Sequence, residues 1–243
     1  MKKKRLGYSV IFAAAFIATL VAALPLALVV SWSGAPITAS RIEGTVWDGA
    51  IHDMWFDGYP IGTLSVSAYL WPLFIGELRG DWRVDGTVMR GTGVMGVRRD
   101  RVTLTDTALS VSLGQFNLRD AFGASMGGKA RVDTRRLVLS SSGCEEGDFT
   151  VTTNTLQVSA ARFGRQGFDL SGDGTCEDGE LVLPLAGNGE EGQVTALMRI
   201  SPNGYHTELV VEPVDYRFAE ALTNYGFQRN GDQFSIIHRG DIF

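Results

Sequence analysis

Two periodicities divide the chain. From Leu6 to Val30 apolar side chains run almost unbroken for 25 residues, and nothing charged occurs between Arg5 and Arg41. A spanning helix needs roughly 20 such residues, whereas a signal-peptide core holds about 7–15. The length therefore favours an uncleaved anchor over a removed secretory signal. Pro25 is expected to kink this helix or mark its outer end, and Trp32 falls where interfacial aromatics settle. Residues 31–40 then form a linker to an exported domain, 41–243.

Beyond Arg41 the period is two. "RVTLTDTALSVSL" (101–113) sets Val102, Leu104, Asp106 and Ala108 on one face and Leu109, Val111 and Leu113 on the other, so its phase flips at a bulge or turn. "GDFTVTTNTLQVSAARF" (147–163) reads in the same way through Phe149, Val151, Leu156 and Val158. "QVTALMRI" (193–200) and "YHTELVVEP" (205–213) flank the turn "SPNG" and predict a hairpin. In "RIEGTVWDGAI", Ile42 to Trp47 reads as the first strand and Asp48-Gly49 as its turn. Three stretches break the pattern. "WPLFIGELRG" (71–80) has Pro at a helix start, "LRDAFGASMGG" (118–128) suits a short helix and loop, and "DYRFAEALTNYG" (215–226) aligns Phe218, Leu222 and Tyr225 before a capping Gly226. The expected fold is mainly β: a transmembrane helix, then one elongated, twisted antiparallel sheet or half-barrel with one or two short helices. The 30 glycines among 243 residues, against a usual content of about 7%, agree with many turns.

Charge sets the orientation and removes one partner class. Lys2, Lys3, Lys4 and Arg5 precede the apolar run and no carboxylate lies within residues 1–40. The basic flank, residues 1–5, is thus expected in the cytoplasm, with the domain in the periplasm of a bacterial cell and the helix in the inner-membrane bilayer. Of the chain's 22 basic and 27 acidic residues, 18 and 27 lie beyond that segment. A body of net charge −9 makes nucleic acid a poor partner, because phosphate binding needs clustered cations.

Candidate chemistry is sparse. Cys144 and Cys176, an even pair in an oxidising compartment, read as a disulfide closing a loop worth roughly 3–4 kcal/mol. The competing metal or redox reading lacks a CxxC spacing or a nearby His. "GASMG" satisfies G-x-S-x-G around Ser125, but a nucleophile elbow needs a strand before it and a helix after it, and the predicted order is the reverse. His52, His206 and His238 are widely separated. "DLSGDGTCEDGE" lacks calcium-hand spacing despite Asp173, Glu177 and Asp178. No catalytic site, metal or cofactor is expected, and the chain does not read as an enzyme. Trp47, Trp55, Tyr69, Trp71, Phe74 and Trp82 cluster just past the apolar segment. They read either as the core of the first strands or as a surface for a partner or lipid, for which Trp47, Trp55, Trp71, Phe74 and Trp82 are the candidate contacts.

The stretches "EGTVWDGAI" and "LSVSAYLWPLFIGELRGDWRV", the latter with Gly76, Leu78 and Gly80, together with "GELVLPL" after Cys176, "NGYHTELVVEP" and the closing "RNGDQFSIIHRGDIF", resemble the protein N family of type II secretion systems. Trp71 directly abuts Pro72, a departure from the spacing of that family. The resemblance implies a non-enzymatic accessory component whose partners are other secretion proteins, the inner-membrane platform and the secretin. A second resemblance, in layout alone, is to the anchored Gly-rich β domains of AsmA and TamB type, which implies a lipid-binding or lipid-passing protein.

Overall fold

The computed structural model describes residues 12, 15–17, 19–116, 127–162 and 164–240. One antiparallel sheet of fifteen strands dominates it: β1 Ile37–Thr38, β2 Arg41–Thr45, β3 Asp48–Phe56, β4 Tyr59–Tyr69, β5 Leu78–Asp85, β6 Met89–Arg98, β7 Arg101–Ser112, β8 Lys129–Ser140, β9 Gly143–Thr153, β10 Leu170–Glu177, β11 Glu180–Gly189, β12 Gly192–Ser201, β13 Gly204–Pro213, β14 Gln228–Asn230 and β15 Gln233–Gly240. From β3 to β13 each strand pairs with the next, and β15 follows β13 with β14 outside it. β1 and β2 both pair with β3, at opposite ends of it. The first and last strands do not meet, so the sheet is open. The accessible surface of the whole chain, 15661 Å², far exceeds the about 10,600 Å² of a compact protein of its mass.

The sheet holds together through one apolar face kept in phase. Direct cross-strand partners point the same way. Ile42 pairs with Ile51, Ile51 with Leu64, Leu64 with Val84, and Val84 with Gly91. The row continues through Leu109, Val132, Val151 and Gly172. A Cβ on Gly172 would lie 3.1 Å from Leu185 Cα, and Leu185 carries the row to Ala196, Leu209 and Ile236. All of these residues are buried or half-buried, whereas neighbours one position away, such as Ser65, Arg83, Thr150 and Asp173, are exposed. At about 4.8 Å per strand the row extends about 55–60 Å.

A strand of 12 residues such as β7 cannot hold that phase by itself. Its expected flip is a bulge at Asp106, whose φ is 47°, where the register against β6 shifts between Thr92 and Val94. The bulge lies two residues before the predicted position and returns Leu104 and Leu109 to one face. Asp57-Gly58 and Asp178-Gly179 make the tight turns after β3 and β10, with φ of 47° and 81° and of 51° and 82°. Both are the left-handed pairs that two-residue hairpins require.

Short helices pack at the two ends of the sheet: α1 Leu26–Ser33, α2 Thr155–Ala161 and α3 Tyr216–Asn224. α3 matches its prediction, with Asp215 accepting from Arg217 N–H at 3.0 Å as N-cap and Gly226 at φ 82° beyond its end. Trp71–Ile75 is a short 3₁₀ turn, η1, rather than a longer helix. The segment 147–163 is not one strand: β9 ends at Thr153 and α2 begins at Thr155. The predicted helix and loop at 118–128, with Ser125, fall almost wholly outside the described residues.

At the N-terminus the described residues depart from one continuous helix followed by a linker. The span Leu6–Val30 lies partly outside the described residues, and among the described residues no helix is long and apolar enough to cross a membrane. Helical backbone through 19–22 stops before Pro25, which is extended at φ −68° and ψ 136° and bridges to Thr45. Without an amide proton, proline cannot continue the ladder behind it. The residues beyond are no free linker. α1 buries Leu26 in a cluster with Ile51, Met54, Ile61 and Val84, and β1 already belongs to the sheet. The first turn is also displaced, to Val46-Trp47, and Asp48-Gly49 opens β3.

Gly58→Ala meets open space and left-handed strain only, so it should cost about 1–2 kcal/mol. Gly172→Ala would drive its methyl group into the Pro184 carbonyl and should lower the urea midpoint further. Cys144 and Cys176 are bonded, with Cα atoms 5.4 Å apart. Replacing both with Ser should remove about 3–4 kcal/mol of unfolding free energy on the loop-entropy account, read by denaturant titration.

Candidate functional site

The site best defined by geometry is the junction between the apolar N-terminal helix and the first hairpin. Val46 N–H donates to Leu24 O at 3.1 Å, and Ala68 N–H donates to Val46 O at 3.1 Å. The Trp47 indole Nε1–H donates to Val21 O at 2.9 Å, while Ser67 Oγ donates to Trp47 O at 3.0 Å. Gly49 admits Leu26, whose Cδ2 would stand 2.8 Å from any Cβ there. The carbonyls released where the helix ends are thus taken up by the hairpin turn.

The other candidate aromatics divide. Trp82 packs against the cluster around Ile51 and Val84, and its Nε1 is buried without a hydrogen bond. Trp55 is exposed near the far end of β3. Trp71 and Phe74 are 79% and 81% exposed on η1, their rings 5.7 Å apart. Tyr69, at the base of η1, has its phenol pKa raised chiefly by its hydrogen bond to Asp81. The five candidate contacts therefore do not form one surface: Trp47 belongs to the junction, Trp82 to the core, and Trp71 with Phe74 to an exposed tip.

The remaining candidates are dispersed. His52 lies 3.7 Å from Glu43, and His206 Nδ1 accepts from Arg239 Nε at 3.0 Å. Asp173 accepts from Thr150 Oγ1 at 2.7 Å and Glu177 lies 3.6 Å from Arg199, so this acidic hairpin is knitted into neighbouring strands. Among the described residues no three His, Cys, Asp or Glu side chains are grouped to hold a metal. On the polar face, Arg131 binds Asp133 through two hydrogen bonds of 2.6 and 3.0 Å and holds its carboxyl below the usual range.

One feature escaped the sequence reading. α2, α3 and the apolar face enclose a cavity of about 220 Å³ lined by Leu156, Ala160, Phe168, Leu209, Phe218 and Leu222. Arg165 lies at this cavity, 3.4 Å from Glu191 and 5.5 Å above the Phe218 ring. The four-residue spacing of Leu156 and Ala160 was the available signal, a helical period inside a stretch read as strand.

The profile of the type II secretion system protein N family matches residues 35–236, from just before β1 into β15. The type II secretion system protein N of Vibrio cholerae serotype O1 is 24% identical over 230 residues, covering 90% of each chain. No solved structure matches. A match over that much of one continuous sheet shows the family: the chain belongs to the type II secretion system protein N family.

Proposed function

We propose that the protein is a non-enzymatic accessory component of the secretion machine. In this reading a single N-terminal pass, with its N-terminus in the cytoplasm, holds it in the bacterial inner membrane and presents the sheet to the periplasm. There the sheet contacts other secretion components, the inner-membrane platform and the secretin. The observation that carries this reading is the family match over nearly the whole sheet. The junction supports it: Phe16, Ile17 and Leu20 are exposed on the helical segment, and hydrogen bonds tie the end of that segment to the first hairpin. A sheet held in this way keeps a fixed bearing on its anchor, as a part that docks other proteins requires.

Photo-crosslinking from the exposed edge, with a probe at Ile237 of β15, should recover platform proteins or the secretin from native membranes. Recovery of neither, together with unimpaired secretion in a strain lacking the protein, would sink this reading. An unpaired edge is the natural first place to look, because its free backbone groups accept a further strand.

A second reading is favoured by one observation. Helices pack near the ends of the apolar row from Ile42 to Ile236, and Leu109, Val132 and Val151 in its middle are half-buried. A continuous apolar strip of this length suits acyl chains, as in a lipid-binding or lipid-passing protein. Native mass spectrometry of the full chain released from gentle detergent should then show retained phospholipid. Leu109→Glu should reduce the retained fraction severalfold, and a spectrum free of lipid removes this second reading.

A further inference from the structure

The tip η1 is an apolar projection between β4 and β5. Leu70, Trp71, Phe74 and Ile75 are 57%, 79%, 81% and 64% exposed, which is unusual for consecutive apolar residues of a surface turn. Its position is fixed by the register. β4 runs back toward the junction, and Ala68 is joined through Val46 to Leu24 by the two hydrogen bonds described above. Ala68 therefore stands about two strand spacings, roughly 10 Å, from the close of the apolar helix, and η1 begins three residues further on, at the same end of the sheet.

The next turn on this end changes character. Leu78 of β5 pairs with Val97 of β6, both exposed. Immediately beyond, β6 closes on Arg98 and the turn to β7 is Arg99-Asp100, all three exposed, so this turn carries two cations and one carboxylate. Aromatic and aliphatic side chains flanked by arginines match the boundary between acyl chains and anionic headgroups. A protein groove would satisfy the apolar part alone; the adjoining cations favour a membrane surface.

We propose that η1 is a second membrane contact, with Trp71 and Phe74 inserted at the headgroup–acyl boundary of the leaflet that the N-terminal helix leaves, and Arg98 and Arg99 on anionic lipid headgroups. This rests on the anchored reading above. Two contacts on one end of the sheet fix its tilt to the bilayer, which a single helix cannot do.

The test uses the full chain in vesicles of phosphatidylglycerol and phosphatidylcholine, with a benzophenone amino acid placed singly at Phe16, Phe74 or Val214. Val214 follows β13 at the opposite end of the sheet and is 79% exposed. Phe16 and Phe74 should form lipid adducts and Val214 none. Arg98→Gln with Arg99→Gln should lower the Phe74 yield about threefold or more, as expected when charges leave an anionic surface. Lipid adducts at Phe16 but none at Phe74 would overturn the second contact and leave the anchor standing. No lipid adduct at Phe16 would overturn both. A Phe74 adduct equal to that of Val214, or a Phe74 yield unchanged by the arginine substitutions, would also refute the proposal.

Discussion

Everything in this structure depends on phase. A single-layer sheet has no second sheet to bury its side chains, so the apolar residues of successive strands must fall on one face with little tolerance for error. A one-residue slip in any strand would turn its apolar set to water. The ladder from Ile42 to Ile236 meets that demand through its register. Where strands are too long to stay aligned, an extra residue resets them, as Asp106 does in β7. Glycine at Gly91 and Gly172 continues the row where neighbouring backbone or side chains leave no space for a Cβ. The short helices add local cover at the ends, and the disulfide joins β9 to β10 near the middle.

Much of this was legible along the chain, because a half-buried antiparallel sheet writes its period directly into sequence. The β12–β13 hairpin and α3 fall where alternation, turn residues and caps put them. The misreadings have physical causes. Leu156 and Val158 continue an alternation begun by Phe149 and Val151, yet Leu156 and Ala160 face one cavity four residues apart, as only a helix allows. Asp48-Gly49 carries local turn preference, but the loop forms at Val46-Trp47, whose backbone and indole are claimed by Leu24, Val21 and Ser67. Tertiary hydrogen bonds decided a choice that propensity had left close. Pro25 is expected to kink one long helix or to mark its outer end; α1 shows that the apolar character of residues 26–30 serves the sheet as well.

The candidate site was legible only in part. A cluster of aromatics after an apolar segment announces that something is covered or contacted there, but it does not sort core from surface. Trp82 and Trp71 are identical in type and close in sequence, yet one packs half-buried against the apolar cluster and the other projects from a turn. The difference comes from strand direction and register, which set which end of the sheet each residue reaches. Family membership came through short structural signatures, glycines and turn residues above all, since these are what an open sheet of this kind cannot exchange freely.

The order of the strands has a consequence for how such a chain comes into being. From β3 to β13 every strand lies beside the one that precedes it in sequence, so apart from the longer connections 113–128 and 154–169 each pair closes across a short segment and costs little chain entropy. A chain emerging N-terminus first, from a ribosome or from a pore, can add each strand to an edge already formed, without waiting for a distant partner. The growing edge stays open to wrong partners only until the next strand arrives. β14 is the exception: it lies outside β15, so the final edge is completed only when the last strand is in place.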